Sequence, residues 1–269
     1  MIRDITIGQY YPADSVIHRL DPRVKLAGTL LYIISIFLFH SFYGYLVLGL
    51  FLFGVIKASK VPIKFIVKGL KSIIILLIFT VTFNLFLTGG EVIWQLGFLK
   101  ITKEGIYSAT FMGIRIIFLI LGSSLMTFTT TPNHLTDGLE KALAPLKKVH
   151  VPVHEIAMMM SIALRFIPIL LEETDKIMKA QMARGANFDE GSIKQKAMAL
   201  IPLIVPLFVS AFRRANDLAM AMEARCYNGG ENRTKMRPLA YKKTDFIGYG
   251  VLAAYIASFF VIRCFFPGF

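Results

Sequence analysis

The sequence predicts an all-α, polytopic membrane protein with five transmembrane helices and a cytoplasmic insert of three helices. Its 269 residues are 55% hydrophobic and only 17% charged, whereas a water-soluble domain carries about 25% charged residues. The apolar residues also fall in long runs, as they do in membrane-spanning helices. The polar N-terminal segment lacks the features of a secretory signal, so we expect the first spans to direct insertion themselves.

The apolar runs divide the chain into four segments. Residues 1–25 are a polar N-terminal segment, and 26–130 contain four predicted spans. Residues 131–245 mix charges of both signs with apolar positions, and 246–269 contain the fifth span. Lys and Arg cluster beside the apolar runs, and such clusters favour the cytoplasmic side. We therefore expect the N-terminus and the insert in the cytoplasm and the C-terminus outside.

The first two spans are predicted at 26–39 and 42–56. One continuous helix over both would measure about 46 Å, which is longer than a bilayer requires, so we predict a hairpin. The third and fourth spans are predicted at 73–87 and 105–130, joined by an external loop. Arg115 falls within the fourth span, where we expect it to face other helices, to pair with an acid or to extend towards an interface.

The insert contains three predicted amphipathic helices. The first runs from Pro132 to Ala144, and the other two end at Arg184 and Arg225. Residues 197–212 of the third helix carry no charge and have the composition of a span. Because this stretch is short and contains two prolines, we interpret it as a buried or interfacial helix and not as a crossing.

The second and third helices of the insert end in the same signature. When Arg184 is placed over Arg225, "EETDKIMKAQMARG" aligns with "RRANDLAMAMEARC" and both segments end in Ala-Arg. A guanidinium presents a fixed fork of donors that suits a carboxylate on a partner. Each arginine would also complement its own helix end, an effect of about 0.3–1 kcal/mol, and for one arginine alone we prefer this interpretation. The duplication favours docking to two related partner subunits.

Methionine is concentrated in the insert. Because the thioether side chain is flexible and polarizable, a Met-rich surface suits contact with several partners. Packing of the insert helices against one another is the alternative for part of the set. The methionines in question are Met158, Met159, Met160, Met178, Met182, Met198, Met220 and Met222.

The N-terminal "SVIHRLDPRVK" leads into the first span. Asp21 precedes Pro22, a pair that suits a cap or turn at the entry to a helix. Arg23 and Lys25 follow, and we expect them to anchor this end at the inner lipid headgroups.

Patterns for other functions are weaker. His150 and His154 are four residues apart, but Pro152 lies between them and no third ligand is near, so we predict no metal site. Cytoplasmic anchoring accounts for the net charge of +13, and we expect no nucleic-acid binding. An autonomous secondary transporter is the alternative function, although such proteins repeat within their spans. A membrane-embedded enzyme would need clustered acids, histidines or a nucleophile near the interface.

Together, "SVIHRLDPRVK", "RFIPILLEETDKIMKAQMARG" and "LAMAMEARCY" resemble the transmembrane T component of energy-coupling factor (ECF) transporters over nearly the whole chain. The resemblance implies that the insert helices are coupling helices whose ends dock on two ATP-binding subunits (EcfA and EcfA′). Cys226 stands where the family has glycine. The implied docking residues are Ala183, Arg184, Gly185, Ala224, Arg225 and Cys226.

The resemblance also implies a mechanism. The partner subunits would bind ATP and Mg²⁺, and their motion would pass through the coupling helices to a substrate-binding S component in the cell membrane that takes up a vitamin or another micronutrient. This chain would then be non-catalytic and bind no cofactor, which agrees with the lack of a GxxxxGK[ST] phosphate loop in the sequence. The expected S-component contacts are Met158, Met159, Met160, Phe166 and Ile167.

Overall fold

The computed structural model describes residues 10–38, 41–71, 73–96, 99–186, 188, 192–230, 236 and 238–265. These residues are mostly α-helical, with one two-stranded sheet and a short 3-10 helix at Ala144–Val149. The elements in chain order are α1 (Val16–Arg19), α2 (Pro22–Leu38), α3 (Phe42–Ser59), α4 (Ile63–Lys71), α5 (Ile74–Leu87), β1 (Val92–Leu96), β2 (Leu99–Thr102), α6 (Lys103–Thr129), α7 (Pro132–Ala142), α8 (Val153–Ala183), α9 (Ile193–Glu223) and α10 (Lys243–Phe265).

Five helices in the described part of the chain are long and apolar enough to cross a membrane. Three of them, α3, α6 and α10, coincide with predicted spans. The first and third predicted spans form α2, with 17 residues, and α5, with 14 residues. Helices α4 and α5, with a 63° bend between them, are together long and apolar enough to cross a membrane. The predicted class, an all-α multi-pass membrane protein, is confirmed.

The remaining two qualifying helices are α8 and α9 of the insert. Length and apolar composition therefore do not separate them from the spans, contrary to the sequence argument from the short run 197–212. Charge does separate part of each helix, since the C-terminal half of α8 contains Glu172 and Glu173 and that of α9 contains Arg213 and Arg214.

The chain forms two compact units, one at Ala142–Pro238 and one that joins Gly8–Lys141 to Leu239–Phe269. Helix α7 therefore groups with the second unit, apart from its last residue. The reason is close packing of α7 on α2, because a Cβ atom added at Gly138 would lie 2.7 Å from Cβ of Pro22. Only glycine permits this approach, and it keeps α7 with the spans.

The core of the second unit lies among α2, α3 and α10, where Tyr32, Tyr45 and Tyr255 are buried. Each phenol has a polar partner, as buried tyrosines require: the Tyr255 hydroxyl lies 2.6 Å from that of Ser35. Arg115 Nε donates to the Tyr45 hydroxyl at 2.9 Å. The arginine in the middle of α6 therefore faces other helices, one of the three expected arrangements.

Two local features follow the predicted boundaries between spans. Ser41 caps α3 by accepting from the backbone N–H of Gly44 at 3.2 Å, so the first two spans are separate helices. The predicted external loop between the third and fourth spans contains an antiparallel hairpin of β1 and β2. The sequence analysis did not predict these strands.

Candidate functional site

The helices α8 and α9 pack against each other in opposite directions. Near the end of α8, Gln181 donates to the carbonyl of Pro202 at 3.5 Å. Eight residues earlier on α8, Glu173 accepts from Arg214, which lies twelve residues later on α9, at 2.9 Å. The contacts advance on one helix as they retreat on the other, so the two C-terminal ends point away from each other.

The contact of Gln181 compensates for a proline in α9. Pro206 has no backbone N–H, so the carbonyl of Pro202, four residues earlier, loses its usual helical donor. The side-chain amide of Gln181 supplies a donor in its place. The backbone acceptor that Pro206 leaves without a helical donor therefore forms a hydrogen bond between the two helices.

A second cross-helix contact is centred on Glu173. Its carboxylate accepts from the Ser210 hydroxyl and from Arg214 Nη2. Both donors belong to α9, and the acceptor belongs to α8. The sequence alone does not show which residue of another helix Glu173 meets.

We expect Glu173→Gln to loosen the pair of helices. The change removes the ion pair with Arg214, and a partly exposed charge-assisted contact of this kind contributes about 1 kcal/mol. The measurement is thermal unfolding of the purified protein in mild detergent. Glu172→Gln is the matched control, since this neighbouring glutamate is exposed. Equal melting temperatures for the two variants would contradict a role of Glu173 in joining the helices.

The duplicated ends of α8 and α9 share one backbone geometry. At the end of α8, Gly185 N–H donates to Met182 and Ala186 N–H donates to Gln181, at 3.0 Å each. At the end of α9, the corresponding bonds run from Cys226 to Glu223 at 2.8 Å and from Tyr227 to Met222 at 3.0 Å. Both sets have the pattern of a Schellman motif. The 41-residue register found in the sequence therefore holds in the backbone.

Cys226 adopts the conformation expected of glycine. Its φ is 56°, and that of Gly185 is 89°, so both lie in the left-handed region that ends a helix. A side chain in this region costs about 1–2 kcal/mol. The departure from the family pattern at Cys226 thus leaves the helix ending intact, and the thiol is exposed.

Both terminal arginines are exposed. Within the described residues, neither Arg184 nor Arg225 makes an ion pair or a side-chain hydrogen bond to its own chain. Because Gln181 lies beside Pro202 and α8 continues to its C-cap Arg184, the two arginines are about 35–40 Å apart along α9. That is more than the diameter of a small folded domain, so one partner domain has room at each end.

The insert helices also present apolar surface. On α9, Phe208 and Phe212 are 60% and 67% exposed, more than any methionine of α8. Exposed apolar area of this extent marks a surface that lipid or a partner covers. Of the methionines in the insert, Met159, Met160, Met182, Met198 and Met220 are exposed, whereas Met158, Met178 and Met222 are half-buried together with Phe166 and Ile167.

The N-terminal motif is bound within its own unit. Asp21 caps α2 by accepting from the backbone N–H of Arg23 at 2.9 Å, one of the two predicted roles, and Pro22 occupies the first helical position. The Arg23 guanidinium binds Asp21 through two nitrogens, at 3.0 and 2.9 Å, and lies 3.8 Å from the ring centroid of Tyr241. Lys25 Nζ donates to the carbonyls of His18 and Thr129. These groups tie α2 to neighbouring segments.

Asp245, near the other end of the chain, also belongs to this cluster, and we call Asp21, Arg23, Lys25 and Asp245 together the polar clamp. Asp245 is 1% exposed and accepts from the backbone N–H of Asp21 at 2.8 Å and from that of Lys242 at 2.7 Å. The second bond is a helix cap, since Asp245 reaches back to the residue before α10. The sequence analysis missed this residue. The acid in the first turn of an apolar helix was the available signal.

The ionisation of Asp21 makes the clamp sensitive to acid. Burial opposes ionisation, but the hydrogen bonds from Arg23 outweigh it, so the pKa of Asp21 lies below its ordinary value of 3.8. The carboxylate therefore stabilises the fold above pH 3.8, and this contribution is lost as the pH falls from there through the lowered pKa of Asp21.

We expect the stability difference between the wild type and Asp21→Asn to shrink as the pH falls below about 4. The measurement is the melting temperature in detergent between pH 6 and pH 3. Asp217→Asn serves as the control, because Asp217 is exposed. A wild-type advantage that stays constant down to pH 3 would show that Arg23 does not hold Asp21 ionised.

Long apolar helices, a buried polar clamp and a charged helical pair define a multi-pass α-helical membrane protein. The family model CbiQ, described as cobalt transport protein, matches residues 13–236. An ECF transporter transmembrane protein EcfT from Ruminiclostridium cellulolyticum is 53% identical over 95% of this chain and 96% of its own length. EcfT proteins from Clostridium kluyveri and Bacillus subtilis are 55% and 51% identical, covering 92% and 91% of this chain and 92% and 93% of theirs.

The chain belongs to the CbiQ/EcfT family, the transmembrane components of ECF transporters. The match includes α8, α9 and both Ala-Arg helix ends.

Proposed function

We propose that this chain couples the ATP-driven motion of two ATP-binding subunits to a membrane-embedded S component that imports a vitamin or another micronutrient. The pair of matching helix ends carries the proposal. Two exposed arginines, Arg184 and Arg225, stand on the same backbone motif at the far ends of one helix pair. A repeated feature of this kind is suited to two related partners.

The docking residues are Ala183, Arg184 and Gly185 on one side and Ala224, Arg225 and Cys226 on the other. The left-handed residue after each arginine turns the chain away from the helix axis, so that the guanidinium lies at the end of the helix. Alanine beside it lets the surface of a partner approach the backbone. A carboxylate on the partner would then accept two parallel hydrogen bonds.

Rigid connection between the tips is what coupling requires. Gln181 and Glu173 hold α8 to α9, so a displacement of one tip is passed to the other helix. The S component receives that displacement through apolar contact at Met158, Met159, Met160, Phe166 and Ile167. The exposed methionines of this set adapt to S components of different shape.

The chain itself has no catalytic role in this proposal, and ATP and Mg²⁺ bind to the partner subunits. The N-terminus and the insert face the cytoplasm and the C-terminus faces outside, in keeping with the basic clusters near the first spans. The groups around Asp21 and Arg23 hold the cytoplasmic end of α2, and Lys25 lies beside them at the level of the inner headgroups.

The test is co-expression with ATP-binding subunits and an S component, followed by purification through a tag on this chain. We expect to purify a complex with two ATP-binding subunits per chain. Liposomes that contain this complex should take up the micronutrient only when ATP is supplied. This chain alone should neither hydrolyse ATP nor transport. Uptake by liposomes that contain this chain alone would contradict the proposal and favour a secondary transporter.

A further inference from the structure

The spanning unit contains a cavity of about 420 Å³ that the proposed function does not use. It lies among α1, α2, α3, α6 and α10, and its walls are almost entirely apolar. Its volume is within the range of about 300–1,000 Å³ that is usual for small-molecule sites. Apolar cavities of this kind select apolar ligands.

The exposed residues of its wall indicate that the cavity opens sideways, at α3 and α10. Its wall includes Leu50 and Gly54 of α3 and Ile247 and Val251 of α10, all of which are exposed. A Cβ atom added at Gly54 would meet no atom within 4 Å. In a helix that spans a bilayer, a lateral opening of this kind faces acyl chains, so lipid has direct access.

Most polar side chains of the cavity wall lie towards one end, and Tyr32 at the other end donates its hydroxyl to the carbonyl of Phe118. Lys25, Thr129 and Thr244 line the cavity where α2 and α10 begin and α6 ends. The opposite end, at Tyr32, is about 10 Å further along α2. The cavity therefore has one polar end and an apolar depth, which is the arrangement of a lipid headgroup and its chain.

Lys25 gives the polar end a positive charge. Its ammonium group donates to two backbone carbonyls, at 3.2 and 2.8 Å. An ammonium has three donors, and among the residues that the structure describes no carboxylate lies within 4.0 Å of it. Asp21 and Asp245 act on this ammonium from a greater distance, and the phosphate of an anionic headgroup would supply an acceptor for its third donor.

We propose that this cavity binds one acyl chain of an anionic phospholipid, with the phosphate beside Lys25. The lipid fills space between α2, α3 and α10 that the protein leaves open, and its headgroup sits at the membrane surface where α2 begins. The inference depends on the multi-pass class of the protein and not on its coupling function.

The test uses the full chain in mild detergent with equimolar palmitoyl-oleoyl-phosphatidylglycerol and palmitoyl-oleoyl-phosphatidylcholine, and counts retained lipid by native mass spectrometry. One interfacial lysine favours the anionic lipid by about fivefold. Gly54→Leu places a leucine side chain at the cavity wall, and a displacement that costs the lipid the burial of only two methylenes lowers retention about tenfold. Gly250→Leu is the matched control, since that helical glycine is equally open but lies outside the cavity wall.

Lys25→Gln separates the contribution of the lipid headgroup from that of the acyl chain. We expect it to abolish the preference for phosphatidylglycerol while the protein still retains lipid. Equal retention of both lipids by the wild type overturns the anionic class of ligand. Equal lipid retention by Gly54→Leu and Gly250→Leu overturns the assignment of the cavity as a lipid site. A Gly54→Leu variant that loses a partner protein but keeps its lipid overturns it as well.

Discussion

Replacing both terminal arginines, Arg184→Ala with Arg225→Ala, is expected to separate this chain from its ATP-binding subunits and to abolish uptake. Each guanidinium is exposed and is free of ion pairs to the described residues of its own chain, so its binding capacity is available to a partner. A charge-assisted hydrogen bond contributes about 1.5–3 kcal/mol. Each single change should therefore weaken the complex, and the double change should dissociate it during purification.

The matched control is Arg213→Ala. Arg213 is an exposed arginine in the same helix α9 but lies two turns or more before its end, so its loss changes the charge as much as either single change does, without touching a tip. Circular dichroism verifies that all variants keep their helices. Uptake that survives in the double variant would refute docking through the arginines.

Asp245→Ala is expected to have the largest effect on stability. Its carboxyl group is 1% exposed and accepts two backbone N–H groups, those of Asp21 and Lys242. An unsatisfied buried donor costs about 1–3 kcal/mol, so the loss of both acceptors should lower the free energy of unfolding by about 2–4 kcal/mol.

A graded series tests this origin of the effect. Asp245→Asn keeps one acceptor oxygen and should lose about half as much as Asp245→Ala. Asp217→Ala, at an exposed position on α9, should lose almost nothing. The measurement is denaturation in detergent followed by circular dichroism. If Asp245→Ala unfolds at the same denaturant concentration as Asp217→Ala, the clamp does not stabilise the protein.

The helix ends were predictable because their determinants are local. Gly185 after Ala-Arg predicts a left-handed termination from residues that are adjacent in the chain, and the aligned register extends this ending to Cys226. Asp21 as the cap of α2 follows from Asp-Pro in the same way. The separation of α2 from α3 was predictable from bilayer thickness, a length that applies to any membrane protein.

The contacts between distant segments were not predictable from one sequence. Asp21 and Asp245 are 224 residues apart, and no periodicity relates them. The same is true of Glu173 and Arg214, whose meeting depends on the crossing of two helices. Whether an apolar run crosses the membrane is also undecided by its composition, since α8 and α9 are as apolar as α10.

The most direct test of coupling replaces Ala183 and Ala224, one at a time, with a photo-crosslinking amino acid in the assembled transporter. Each position is next to a terminal arginine and exposed. We predict that illumination links each position to an ATP-binding subunit. In one complex, the two positions should crosslink to two different ATP-binding subunits. Crosslinks from either position only to lipid, or only to this chain, would contradict the account.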